Sequence, residues 1–213
     1  LDMEDIAHLR REYRQAALSE ADLPSDPFVL FEKWLSEAIR AQLVEPNAFA
    51  LATCDKRPHV RIVLLKGIEP PYLYFYTNYL SAKGQEIAQQ PWVAGCFWWG
   101  ELERQVRFEG LAAPAPSEKS DAYFASRPYE SQVGAAASPQ SQPIPNRAFL
   151  EARFKAIQAL YPPPGPIPRP LHWGGYQIKV EKMEFWQGRP NRLHDRFLYT
   201  WQEDHWTYIR LAP

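Results

Sequence analysis

The spacing of apolar positions changes along the chain. Between residues 28 and 43, Phe28, Phe31, Trp34, Leu35, Ala38 and Ile39 recur at intervals of three and four, which predicts an amphipathic helix with one packing face. After Pro46 the runs become short, β-branched and aromatic, and turn-forming residues separate them. AFALATC (48–54), VRIVLLK (60–66), YLYFYTN (72–78), WVAGCFWW (92–99) and RQVRFEGLA (104–112) all read as strands. Strands return over 176–186 and 196–208, the second stretch divided by the polar turn Gln202-Glu203-Asp204-His205.

Helices interrupt this β pattern. Residues 81–90 predict a short one, 117–126 another with Ser117 as N-cap and Pro128 just beyond its end, and Asn146 caps a third running to about Tyr161. The segments 138–147 and 162–170 are too rich in proline for regular structure and read as loops. Residues 3–18 are polar and mildly helical, with Pro24, Asp26 and Pro27 stopping any continuation, so residues 1–20 read as an arm. About six or more strands with few alternating βαβ signals favour a small antiparallel barrel over a doubly wound sheet. With no repeat and no linker between two cores, the expectation is a single domain over 1–213, mainly β with peripheral helices.

Composition narrows the function. The 24 Lys+Arg nearly cancel the 25 Asp+Glu, so no net field draws the chain to nucleic acid or an anionic membrane, and any bound phosphate must be held locally. Cys54 and Cys96 both sit in apolar stretches, which predicts buried thiols and a reducing, cytoplasmic setting rather than a disulfide framework. No apolar signal core opens the sequence, and no run of roughly 18 uncharged apolar residues occurs. The expectation is a protein neither secreted nor membrane-spanning.

The chain has no G-x-G-x-x-G, P-loop, G-x-S-x-G, C-x-x-C or H-E-x-x-H motif. Cations inside strand-like runs stand out instead, because a buried unpaired charge costs several kcal/mol and calls for a partner. In VRIVLLK the odd offset places Arg61 and Lys66 on opposite faces, able to serve two anions; equally, both can reach water from strand ends. Ser81-Ala82-Lys83 at a helix start forms a phosphate seat, or Ser81 is simply a cap. Gln105 and Arg107 share a face opposite Arg104. That face suits a flat heterocycle with matching donor and acceptor edges, or carries solvated cross-strand pairs. If 192–196 is extended, Arg192, His194 and Arg196 point one way, which is unfavourable without an anion or acidic neighbour.

These residues fall within a longer pattern: HLRREY at 8–13, RIVLLK at 61–66, FYTN at 75–78, ERQVRFEG at 103–110, SRP at 126–128, WGGY at 173–176, FWQG at 185–188, RLHDRF at 192–197 and a terminal RLAP. The chain strongly resembles the pyridoxine/pyridoxamine 5'-phosphate oxidase family from about Ile6 to Pro213, with the motifs in the same order. The resemblance implies an antiparallel, FMN-binding split β-barrel working as a homodimer, with sites at the interface built from both chains. By motif, Arg61 and Lys83 would hold the FMN phosphate. The strand backbone of Ile62, Val63, Leu64, Leu65 and Lys66, with Tyr76 and Thr77, would line the flavin. Gln105 would contact its ring, and Gln140, Ser141, Trp186 and Arg196 would complete that site. Lys66, Tyr123, Arg127 and Ser131 would cradle the vitamer phosphate, Arg192 and His194 would lie against the pyridine as catalytic residues, and Arg10 and Tyr13 would close over the substrate. No metal is implied.

The reaction so implied is oxidation of pyridoxine 5'-phosphate or pyridoxamine 5'-phosphate to pyridoxal 5'-phosphate by hydride-equivalent transfer from C4' to FMN, with O2 reduced to hydrogen peroxide. One departure is Ala82, where the family commonly has arginine. Three other readings remain: another split-barrel flavoenzyme such as a flavin reductase, a flavin- or pyridoxal-phosphate-binding protein without turnover, and a purely structural barrel. The first does not need Arg127, Arg192 and His194, the second is favoured only by Ala82, and the third leaves the cations without a ligand.

Overall fold

The computed structural model describes the backbone of residues 3–213 and the side chains of residues 6–213; the first two residues of the predicted arm lie outside the described residues. After a 3-10 turn at Met3–His8, the elements in order are α1 (Pro27–Arg40), β1 (Ala48–Cys54), β2 (Pro58–Leu64), β3 (Gly67–Glu69), β4 (Tyr72–Asn78), α2 (Ala82–Gln89), β5 (Trp92–Trp99), β6 (Arg104–Pro114), α3 (Ser117–Ser126), α4 (Tyr129–Ala137), α5 (Arg147–Leu160), β7 (Trp173–Gln187), β8 (Asp195–Gln202) and β9 (His205–Leu211). The strands run in the order β2-β1-β5-β6-β7-β4-β3, with β8 pairing with β7 and β9 with β8. The pairings β1–β2, β3–β4, β4–β7, β7–β8 and β8–β9 are all antiparallel. The mainly β, antiparallel expectation holds.

The chain forms two compact units: one from the residues up to Asn47 with Cys96–Phe108 and Glu181–Pro213, the other from Ala48–Gly95 and Glu109–Val180. In the first, Asp26 caps α1 by accepting a hydrogen bond from Phe28 N, and Pro27, which has no N–H to satisfy, starts the helix. The buried stripe of α1 includes Phe31 and Trp34, whose rings lie 5.1 Å from Phe97 and 5.3 Å from Phe185. Each such ring contributes roughly 1.5–3 kcal/mol by leaving water, which fixes the helix on the strands. In the second unit Phe75 packs between Phe49 and Tyr176, at 6.4 and 5.4 Å.

Several local expectations are corrected. The strand predicted at 60–66 is β2 at 58–64, so Lys66 lies outside it and the two-face argument for Arg61 and Lys66 fails; Lys66 N instead donates to Tyr74 O at 2.9 Å. Ser117 is the first helical residue rather than the cap; Pro116 occupies that position with no side-chain hydrogen bond. Residues 192–194 are not extended, because Asn191 and Arg192 adopt φ of 59° and 60° in a tight turn and β8 begins only at Asp195. The short β3 and the helix α4 were not anticipated, as Gly134 and the alanines around it give α4 almost no apolar stripe. Cys54 and Cys96 are free, as expected, but half-buried rather than enclosed.

Candidate active site

In the second unit, the β1–β2 register sets Arg61 opposite Leu51 and His59 opposite Thr53. Arg61 and His59 therefore share one face of β2, leaving Val60 and Ile62 on the other, 68% and 66% exposed. Arg61 Nη2 reaches Glu86 Oε2 at 3.2 Å, and Nη1 donates to Leu51 O at 3.3 Å and to Thr53 Oγ1. Glu86, projecting from α2, also accepts from Thr53 Oγ1 and meets His59 Nδ1 at 2.6 Å. Asp55, His59 and Glu86 are close enough to share a cation, but Glu86 is already committed to Arg61, whose charge opposes one.

One turn back on α2, whose N-cap is Ser81, Lys83 Nζ donates to Thr77 Oγ1 at 3.1 Å and to Gln140 Oε1 at 3.3 Å; Thr77 Oγ1 donates to the same Gln140 oxygen at 3.0 Å. Burial, and then the Arg61 charge, hold the Lys83 ammonium below its ordinary pKa against the pull of Glu86. Two cations that disfavour each other, Lys83 in the first turn of α2 and Arg61 on β2, suit a phosphate. Ser141 follows Gln140 with φ of 71° and is exposed. Of the remaining β2 positions, Ile62 faces outward, Val63 and Leu64 are half-buried, and Leu65 is buried just beyond the strand.

A second cluster in this unit is aromatic. Tyr76 and Tyr123 stack at 3.9 Å, each within about 6 Å of a nearly parallel Trp173, and the Arg127 guanidinium lies 4.7 Å from the Trp173 ring. Arg127 and Ser131 line a cavity of about 330 Å³ with Asn78, Ser138, Gln140 and Trp173. Among the described residues, Arg127 Nη1 is the only buried side-chain nitrogen or oxygen without a hydrogen-bond partner. Burial pulls the guanidinium pKa down. A half-buried guanidinium beside a cavity, with one enclosed donor unused, calls for an anionic ligand.

The first unit holds the remaining predicted residues. A cavity of about 500 Å³ is lined by Arg10, Tyr13, Arg189, Asn191, Arg192 and His194, with Leu9, Arg11 and Glu12. The Trp186 ring is 4.6 Å from His194 and 5.7 Å from Tyr13, which in turn is 5.8 Å from His194. Arg189 N donates to His194 Nδ1 at 3.0 Å, so a neutral ring carries its proton on Nε2. Burial, and then the neighbouring Arg192, hold the imidazole below its usual pKa of 6.5, with Asp195 opposing. The unfolded chain therefore takes up this proton first, and the histidine costs stability as pH falls through 6.5 toward the folded value. An NMR titration is expected to place His194 below 6.5, and Arg192→Gln to move it upward; a wild-type midpoint at or above 6.5 would contradict this environment.

Arg196 does not join His194. It turns to Glu184, with Nη2 at 2.9 Å and Nε at 3.2 Å, and Arg107 lies 3.7 Å from the same carboxylate. Arg104, on the opposite face of β6 as expected, is held by Glu37 and by Gln187 Oε1 at 2.8 Å and stacks over Trp34 at 4.4 Å. Gln105 is half-buried on the Arg107 face. The sequence reading passed over Glu86, Glu184 and Glu103, the buried carboxylates that organise these cations and the arm. For Glu86 and Glu184 a glutamate within a helix or strand run was the available signal; Glu103 sits between a 3-10 turn and β6 and gave none.

Residues 35–161 match the family described as pyridoxamine 5'-phosphate oxidase, and residues 173–213 match pyridoxine 5'-phosphate oxidase C-terminal dimerisation region. The chain is similar to pyridoxine/pyridoxamine 5'-phosphate oxidase of Gloeothece citriformis, 51% identical over 213 residues with 99% of each chain covered. The Chromobacterium violaceum protein of the same description is 53% identical, covering 98% of this chain and 99% of that one. Among solved structures, PhzG of Burkholderia lata in complex with tetrahydrophenazine-1-carboxylic acid superposes with a TM-score of 0.88 at 30% identity, covering 94% of this chain and 99% of that one. A pyridoxamine 5'-phosphate oxidase-related, FMN-binding protein of Nostoc punctiforme gives 0.72 at 20% identity, over 90% of this chain and 100% of that one, a likeness of fold alone.

Proposed function

The chain belongs to the pyridoxamine 5'-phosphate oxidase family, and on that premise we propose that it oxidises pyridoxamine 5'-phosphate and pyridoxine 5'-phosphate to pyridoxal 5'-phosphate with FMN as cofactor. The alcohol loses a hydride equivalent from C4' and a proton from its hydroxyl, while O2 becomes hydrogen peroxide. The amine follows the same course to an imine, whose hydrolysis releases ammonia.

The observation that carries this reading is Arg127, a half-buried guanidinium whose enclosed Nη1 has no partner, on a cavity also lined by Ser131. It fits the phosphate of a B6 vitamer, with Tyr123 beside it and Lys66 exposed and available. Arg61 and Lys83 fit the FMN phosphate: two cations, Lys83 depressed by burial and then by Arg61, held in place by Glu86, Thr77 and Gln140. Tyr76, Gln105, Gln140, Ser141, Trp186 and Arg196 complete the cofactor contacts. Bound FMN would supply the two-electron acceptor chemistry that couples this oxidation to O2.

The protein's own contribution is placement. Two separate phosphate grips restrict the vitamer and the cofactor independently, which removes orientational freedom before reaction. Arg192 supplies a positive charge to the pyridine side, and His194, its Nδ1 already used by Arg189 N, is available to donate from Nε2 rather than to act as a base. Arg10 and Tyr13 cover the substrate from the arm. A homodimer with residues of both chains in each site follows from the same reading. It is supported by exposed apolar residues in the C-terminal region, Leu193 at 68% and Ile209 at 59%, and by Val60 and Ile62 on the terminal strand β2. Among the described residues no helix is long and apolar enough to cross a membrane.

The phosphate grip is testable against the vitamer lacking it. Pyridoxine is expected to show a kcat/KM at least roughly a hundredfold below that of pyridoxine 5'-phosphate, since it makes no phosphate contacts and leaves the enclosed Arg127 donor unpaired. Equal efficiencies would remove Arg127 from substrate recognition.

A further inference from the structure

We propose that Glu103 anchors the N-terminal arm in its closed position and so acts as a positioning residue for Arg10 and Tyr13. What the arm does rests on the oxidase reading, but how it is held does not. The Glu103 residue is only 2% exposed, and the donors to its carboxylate come from the arm. Oε2 accepts from Arg14 N at 2.9 Å and Gln15 N at 3.1 Å, and Oε1 lies 3.5 Å from Arg11 Nη2. Two contacts flank this grip: Arg11 Nη1 donates to Gly100 O at 3.2 Å and Gln15 Nε2 to Glu101 O at 2.6 Å.

The backbone of Glu103 is itself pinned, which aims the carboxylate. Its φ is 57°, in the left-handed region, its N–H donates to Gly100 O at 3.1 Å, and its carbonyl accepts from Gly188 N at 2.7 Å and Gln187 Nε2 at 3.2 Å. Gly188 also makes room for the arm, because a Cβ there would lie 2.8 Å from Tyr13 Cβ and Cγ. If the arm lifts, Glu103 loses all three of its arm contacts together, and regaining them favours re-docking. The anchor is adjacent in sequence to the residues it positions. Tyr13 precedes Arg14 directly, so the grip on two successive amides fixes where the Tyr13 ring meets Trp186 and His194.

The test uses the full chain reconstituted with FMN, and compares wild type, Glu103→Ala, Glu103→Gln and Gln15→Pro. The last removes two donors of the arm, the Gln15 N–H to Glu103 and its Nε2 to Glu101 O, and leaves the strands untouched, so it remains informative if Glu103→Ala folds poorly. Hydrogen exchange of residues 9–15 is expected to show protection in wild type and its loss in Glu103→Ala and Gln15→Pro. KM for pyridoxine 5'-phosphate should rise roughly ten- to hundredfold in Glu103→Ala with a much smaller change in kcat, FMN affinity should stay constant, and Glu103→Gln should recover part of both effects. Protection retained in both Gln15→Pro and Glu103→Ala would overturn the anchor. Protection lost with KM unchanged, or FMN affinity falling in step with KM, would overturn the positioning role. Absence of turnover in the wild type would remove the oxidase reading while exchange still reports on the anchor.

Discussion

Arg127→Met is expected to raise KM for pyridoxine 5'-phosphate roughly ten- to hundredfold, because a charge-assisted grip on phosphate is worth about 1.5–3 kcal/mol and no other guanidinium lines that cavity. Methionine keeps an apolar stem against Trp173, where the guanidinium now lies 4.7 Å from the ring. The same substitution should raise the melting temperature of the ligand-free protein slightly, since it removes a half-buried charge with one enclosed, unsatisfied donor. Opposite signs for stability and substrate binding distinguish a ligand-directed cation from a structural one. Steady-state kinetics and a thermal melt check both; unchanged KM with lower stability would make Arg127 a packing residue.

Arg61→Met should weaken FMN binding by about a hundredfold or more, at the upper end for a single charged contact. Loss of the guanidinium also leaves the Glu86 carboxylate, now 3.2 Å from it, with only His59 and Thr53 as partners beside an incoming phosphate. The converse change is Ala82→Arg. Ala82 is exposed at the first position of α2, so a long side chain meets no steric barrier, and a third cation should tighten FMN roughly ten- to hundredfold. Flavin fluorescence quenching on titration gives both affinities. FMN held as tightly by Arg61→Met as by wild type would locate the cofactor phosphate elsewhere.

These predictions separate cations the sequence could not separate. Strand alternation correctly set Arg104 opposite Gln105 and Arg107, but which of them lacked a partner depended on residues distant in sequence. Glu37 reaches Arg104 from α1, Glu184 reaches Arg107 and Arg196 from β7, and Glu86 reaches Arg61 from α2. Such pairings follow from strand register and helix placement, which local periodicity does not encode. Arg127 lies in none of the strand runs that drew attention to cations, and only the motif resemblance singled it out.

The fold was legible where pattern and punctuation agree. β1, β4 and β5 coincide with their predicted ranges, and Asn146 caps α5 by accepting from Phe149 N at 2.9 Å. The pattern failed at two kinds of place. In α4 the small residues Gly134, Ala135, Ala136 and Ala137 give no clear period, although Ala135 and Gly134 prove to line the Arg127 cavity. At 191–194 the chain looks extended, but Asn191 and Arg192 turn left-handed, which sends His194 to Trp186 and Arg196 to Glu184. The alternation rule holds only while the backbone stays in the β region.

The central claim is oxidase chemistry on a phosphorylated B6 vitamer, and aerobic turnover tests it most directly. FMN-reconstituted protein incubated with pyridoxine 5'-phosphate should form pyridoxal 5'-phosphate and hydrogen peroxide in equal amounts, with neither formed when FMN is omitted. Bound FMN with no product from either pyridoxine 5'-phosphate or pyridoxamine 5'-phosphate would contradict the claim and leave a flavin-binding protein of other activity.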